Sequence, residues 1–204
     1  MKSFTKILCY VILPLMIVGG VYLLVQSVMK PVRFNKNVAD RETIAIQRLK
    51  DIRTLQVAFK AEYGRFLPTT DSLVDFYRNG VITIVRQVGS MDDSLAVAQK
   101  KVFRDSVKVN VRDTLLKNRV NTIDSLNFIP YSGGKRIQIE SVVKVVSGVN
   151  VPLFEATMPY DDLLKGLDRQ LVVNLKAEKE DMGRYAGLKV GSVTQPNNNA
   201  GNWE

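Results

Sequence analysis

The sequence predicts an α+β protein, in which an N-terminal transmembrane helix and an amphipathic helix precede a small, mostly antiparallel sheet with short helices. Three observations carry that reading. No charged residue falls between Ile7 and Met29. Apolar side chains then recur at helical spacing, and β-branched runs bounded by turn residues follow from Val81 onward. The 204 residues divide into an anchor (1–30), a linker (31–39), one extramembrane α+β domain (40–186) and a turn-rich tail (187–204).

The anchor comes first in the chain. About 20 residues of helix, rising about 1.5 Å each, cross a hydrocarbon layer about 30 Å thick, so the run from Ile7 to Met29 is long enough to span. Lys2 and Lys6 give it the basic start of a signal peptide. It exceeds the usual length of a signal's apolar region, however, and no small-x-small cleavage site lies near Gln26-Ser27-Val28-Met29, so a retained anchor is expected. Lys2 and Lys6 on one side are balanced by Lys30, Arg33 and Lys36 on the other, so flanking charge does not decide orientation.

Pro31 is expected to end or bend this helix, and Asn35-Lys36-Asn37 to form the linker. Asp40 is the expected N-cap of the second helix, whose apolar stripe is Ala45, Leu49, Ile52, Phe59 and Tyr63. Gly64 suits a left-handed C-cap, and Pro68 prevents the helix from resuming. Thr70 or Asp71 caps a short helix that Gly80 closes, and Val81–Val85 reads as a strand.

Residues Asp93–Phe103 read as helix, and the alternation Val107, Val109, Val111 as a half-buried strand. A turn or short helix at 113–116 and a loop over 121–134 come next. Strands at 136–146 and 151–156, joined by Ser147-Gly148-Val149-Asn150, read as a hairpin. A short helix at 160–167 and a strand Leu171–Leu175 precede the tail, which is polar and expected to be loose apart from Trp203.

The net charge of +9 comes from 29 basic and 20 acidic residues that alternate along the chain, as in Glu178-Lys179-Glu180-Asp181. Basic residues interleaved with aromatics do not form a run, so nucleic acid is not an expected partner and the lipid bilayer is. The chain contains no histidine and one cysteine, Cys9, inside the apolar run. That composition excludes a Ser-His-Asp triad, a His-bearing zinc site and an intrachain disulfide. Neither a P-loop nor a dinucleotide-binding glycine pattern occurs, and no cofactor or metal is expected. Gly89-Ser90-Met91 reads as a turn, the alternative being the serine of a Ser-Lys hydrolase. Asp92-Asp93 and Asp161-Asp162 read as helix caps, the alternative being oxygen ligands of a cation.

The phrase Asp51-Ile52-Arg53, Leu55-Gln56, Phe59, Tyr63-Gly64-Arg65-Phe66, Pro68, Asp71 and Leu73 resembles bacterial type IV pilins and type II secretion pseudopilins. The resemblance covers roughly Asp40 to Phe76 and implies an amphipathic helix leading into a small antiparallel sheet. The chain departs from that family in having Ser3-Phe4-Thr5-Lys6 in place of a Gly-Phe junction and no acid before Asp40, so prepilin peptidase processing is not expected. Further phrases, Ile129-Pro130-Tyr131, Val151-Pro152-Leu153-Phe154-Glu155-Ala156 and Gly201-Asn202-Trp203-Glu204 among them, resemble an uncharacterised envelope-protein family of Bacteroidota, which implies no activity.

The resemblance implies an inner-membrane protein with a periplasmic domain and a non-enzymatic, structural or assembly role in a cell-envelope complex, with other envelope proteins or copies of itself as partners. A membrane-tethered ligand-binding or sensing domain is the alternative. The helical stripe is expected to pack mainly on the protein's own sheet. If part of it stays free, Leu49, Ile52 and Phe59 are the expected partner contacts.

Overall fold

The computed structural model describes residues 13–88 and 103–204. The first helix, α1 (Leu13–Tyr63), is unbroken over 51 residues, or about 76 Å. Its two halves meet different surroundings. From Leu15 to Val32 the apolar side chains are exposed, whereas Phe34, Val38, Ala45, Leu49, Ile52, Leu55 and Phe59 are buried in one core. Those spacings of three, four and seven draw a single stripe along the helix.

Three expectations change here. Pro31 lies inside α1 rather than at its end, residues 31–39 are helical rather than a linker, and Asp40 is an exposed mid-helix residue with no capping role. Phe34 and Val38 supply the reason: their burial four residues apart stabilises the turns after Pro31 by more than the single hydrogen bond the proline removes. Gly64 ends the helix as expected, with φ +71° and its N–H donating to the Lys60 carbonyl at 2.8 Å.

Thr69, one residue before the expected caps, accepts from the Ser72 N–H and opens α2 (Thr70–Asn79). Leu73, Val74, Phe76 and Tyr77 turn inward, and the Phe76 ring meets Phe59 edge-on at 5.0 Å. Gly80 closes α2 in an extended conformation, where an added Cβ would collide with the Phe76 carbonyl and ring.

Strand β1 (Val81–Val88) pairs antiparallel with β2 (Phe103–Asn110), from Val81↔Asn110 to Val88↔Phe103. Phe103, read as the end of a helix, thus opens a strand; the rest of that expected helix, with Ser90 and the Asp92-Asp93 pair, lies outside the described residues. A one-turn helix α3 (Val111–Thr114) and a 3-10 stretch (Lys117–Asn127) lead to the second sheet, so part of the expected 121–134 loop is 3-10.

That sheet has the order β3-β4-β5, all antiparallel: β3 (Gln138–Val146), β4 (Val149–Pro159) and β5 (Gly187–Gly191). The β3–β4 turn is tighter than expected. Only Ser147 and Gly148 lie between the strands, both with positive φ (51° and 80°), the twist that suits a two-residue hairpin. Helix α4 is short (Tyr160–Leu163).

Two further corrections fall at the C-terminal end. Leu171–Leu175, read as a strand, lies in helix α5 (Arg169–Asp181), because Asp168 accepts from the N–H groups of Gln170 and Leu171 and starts a helix there. The tail is docked: Leu188 and Val190 of β5 are core residues, and Gly201 bridges to Val190.

Candidate functional site

The C-terminal half of α1 carries polar side chains that fasten it to the domain at almost every turn. The Arg41 guanidinium donates to the carbonyls of Leu163 at 3.0 Å and Lys165 at 2.9 Å and stacks 4.5 Å from the Tyr131 ring. The Tyr160 hydroxyl donates to Glu42 at 2.5 Å. Arg48 donates to the carbonyls of Ser125, at 2.9 Å, and Phe128. Arg53 pairs with Glu204 at 2.6 Å, and Glu62 accepts from both the N–H and hydroxyl of Thr83 at 3.0 Å.

Backbone carbonyls receive several of these bonds, so the clamp needs the loops in one conformation. The C-terminal half of α1 is thereby held against the domain, and the helix itself runs on without a break through Pro31. Burial lowers the Arg48 pKa, and the Arg53 hydrogen bond lowers that of Glu204.

A groove of about 590 Å³ opens where α1, α4, β5 and the tail meet. Its floor is Ile46, Leu188 and Trp203, and its walls carry Glu42, Tyr160, Lys179, Arg184, Lys189 and Glu204. Glu204 is engaged by Arg53, and Lys189 by Glu155 at 3.4 Å, while Lys179 and Arg184 have no ion-pair partner among the described residues. The buried Trp203 indole N–H also lacks a hydrogen-bond partner there. Burial, reinforced by the Glu42 hydrogen bond, raises the Tyr160 pKa, and burial raises that of Tyr185. Both phenols are protonated at neutral pH and neither is a base. The groove can hold a molecule by charge and apolar contact.

Leu49 and Ile52 are fully buried and Phe59 is 8% exposed, all within the chain's own core. The three therefore line the core rather than a free surface, so the condition on which they were expected as partner contacts is not met here. Asp161 does not cap α4: it pairs with Lys176 at 2.6 Å, and the capping aspartate is Asp168. Among the described residues no group of three or more His, Cys, Asp or Glu side chains is placed to hold a metal ion.

Sequence reasoning missed Arg41, Glu42, Arg48 and Arg53 as clamp residues, and the groove with them. Their partners are backbone carbonyls or residues more than 70 positions away, which leave no local pattern. In comparisons with family models, curated proteins and solved structures, nothing matched this chain.

The fold is α+β behind one helix that is long and apolar enough to cross a membrane, with none of its most apolar window buried inside the protein. That arrangement is consistent with a single-pass membrane protein.

Proposed function

We propose that this chain is an inner-membrane protein whose periplasmic domain serves, without catalysis, as a structural or assembly component of a cell-envelope complex, in the manner of a pseudopilin. The observation that carries the reading is the unbroken α1, apolar and exposed in its first half and core in its second. A tethered enzyme or sensor gains reach from a flexible linker. A helix that passes straight from bilayer to core instead fixes the height and orientation of the domain, as lateral packing into an assembly requires.

The test combines topology with capture in cells of the native host. In a Cys9→Ser background, Asn150→Cys at the exposed hairpin tip should react with a membrane-impermeant maleimide once the outer membrane alone is permeabilised. A photo-reactive residue at Ile44 or Val57, two exposed apolar positions on the C-terminal half of α1, should cross-link envelope proteins or copies of the chain. Labelling only after the inner membrane is opened, or a strictly monomeric protein with no cross-links, sinks the proposal.

The groove favours a second reading, a tethered binding domain for a small anionic or zwitterionic molecule facing Lys179 and Arg184. Native mass spectrometry of the protein extracted from its host membrane would reveal that molecule as a discrete mass. An unliganded protein would reject this reading.

A further inference from the structure

The two edges of the second sheet are treated differently. The tail closes the β5 edge: Gly191 N–H donates to the Ala200 carbonyl at 3.0 Å, Asn202 N–H to the Lys189 carbonyl at 3.0 Å, and Lys189 N–H to the Asn202 side chain at 3.0 Å. The β3 edge has no such cover. Its sole ladder partner among the described residues is β4, and along Gln138–Val146 it carries no proline and a single lysine, so it lacks most of the devices that blunt an open edge. Val143 and Val145 on this strand are 62% and 70% exposed.

We infer that β3 pairs antiparallel with β3 of a second copy of this chain, about a two-fold axis through Val142, to make one continuous six-stranded sheet. The register follows from charge. Glu140 and Lys144 lie two residues either side of Val142 on the same face, so a two-fold there places each Glu140 directly opposite the Lys144 of the other copy.

Within the chain Glu140 stands across from another acid, Glu155, whose cation is Lys189; neither Glu140 nor Lys144 has an ion-pair partner among the described residues. On the other face the same register sets Val145 against Ile139 and Val143 against Ser141 of the second copy, which covers the exposed valines. Shifts by one residue lose the charge match and are disfavoured. A nine-residue strand pair is a small interface, and confinement of both copies to one bilayer supplies the effective concentration it needs.

The class of partner, a copy of the chain, rests on the assembly reading, and the experiment separates the two. In full-length Cys9→Ser protein in native membranes, Val142→Cys should be joined into dimers by a short bis-maleimide, while Val149→Cys, exposed at the hairpin tip, should stay monomeric. Adding Glu140→Lys alone or Lys144→Glu alone should cut the dimer yield about tenfold, since each makes two like-charge pairs, and the double exchange should restore it. Cross-linking at Val142 no stronger than at Val149, or a double exchange that leaves the single losses in place with unchanged circular dichroism, overturns the strand pairing. If Ile44 captures other envelope proteins while Val142 is silent, the pairing fails and the assembly reading stands. If Val142 forms dimers while Asn150→Cys is labelled only from the cytoplasm, the pairing stands and the periplasmic reading fails.

Discussion

Gln56, fully buried on α1, grips Leu67 by both of its amide atoms: its Nε2 donates to the Leu67 carbonyl at 2.8 Å and its Oε1 accepts from the Leu67 N–H at 2.9 Å. The pair fixes the chain where it reverses after Gly64, so that Phe66 can reach the Phe154 ring at 4.7 Å. Gln56→Leu keeps the volume but strands a buried N–H and a buried carbonyl. It should destabilise the protein by about 2–4 kcal/mol in urea titration of the detergent-solubilised chain. Gln56→Glu at neutral pH should do at least as much harm, because a carboxylate cannot donate to the Leu67 carbonyl.

Tyr160 and Glu42 predict alkaline sensitivity. Burial, reinforced by the Glu42 hydrogen bond, raises the Tyr160 pKa above the ordinary tyrosine value near 10. Below that value folded and unfolded chains are both protonated and the contribution is complete. Above it the unfolded chain releases its proton first, so stability should fall as pH rises past about 10. Tyr160→Phe should cost about 1–2 kcal/mol at neutral pH and flatten the alkaline decline, read as melting temperature against pH. A wild-type and mutant profile of equal slope above pH 10 would reject this assignment.

The elements that were legible in the sequence owe their shape to local chemistry. Gly64 and the Ser147-Gly148 turn need positive φ, and the valines of β1 and β3 suit a pleated surface. Two errors have different origins, a local N-cap in one and a tertiary contact in the other. Leu171-Val172-Val173 looks like strand, yet Asp168 starts a helix there and the charged run through Asp181 continues it with Val172 as its buried residue. Pro31 looks like a terminus until Phe34 and Val38 find a core. Of the candidate site, the apolar stripe and its packing inside the protein were legible as a helix face, whereas Arg41 and Glu42 bond to partners far along the chain and leave no local pattern.

Gly191 should tolerate no side chain. Its φ is +77°, and an added Cβ would collide with the Phe154 carbonyl on β4. Gly191→Ala therefore meets backbone strain and a clash with an atom that cannot rotate away. A loss of at least about 2 kcal/mol is expected, seen as a lower melting temperature. Gly148→Ala, in the open hairpin turn with nothing near its Cβ, should cost only the positive-φ strain, about 1–2 kcal/mol. Equal effects of the two would mean that β5 is not pressed against Phe154.

Continuity of α1 through Pro31 is the feature on which a fixed domain height depends, and it can be measured directly. Spin labels at Val21 and Lys36, both exposed on α1, are 15 residues apart and should be separated by about 22 Å along the axis, in a single narrow distribution in nanodiscs. A linker at 31–39 would give a broad distribution with several maxima. Pro31→Ala supplies the N–H that the Ser27 carbonyl lacks as an i−4 partner, so it should raise stability by about 1–3 kcal/mol while leaving the distance within its original width. If the distribution instead narrows sharply on Pro31→Ala, the native proline is a hinge: the domain swings on its anchor, and lateral assembly would have to supply the orientation that α1 does not.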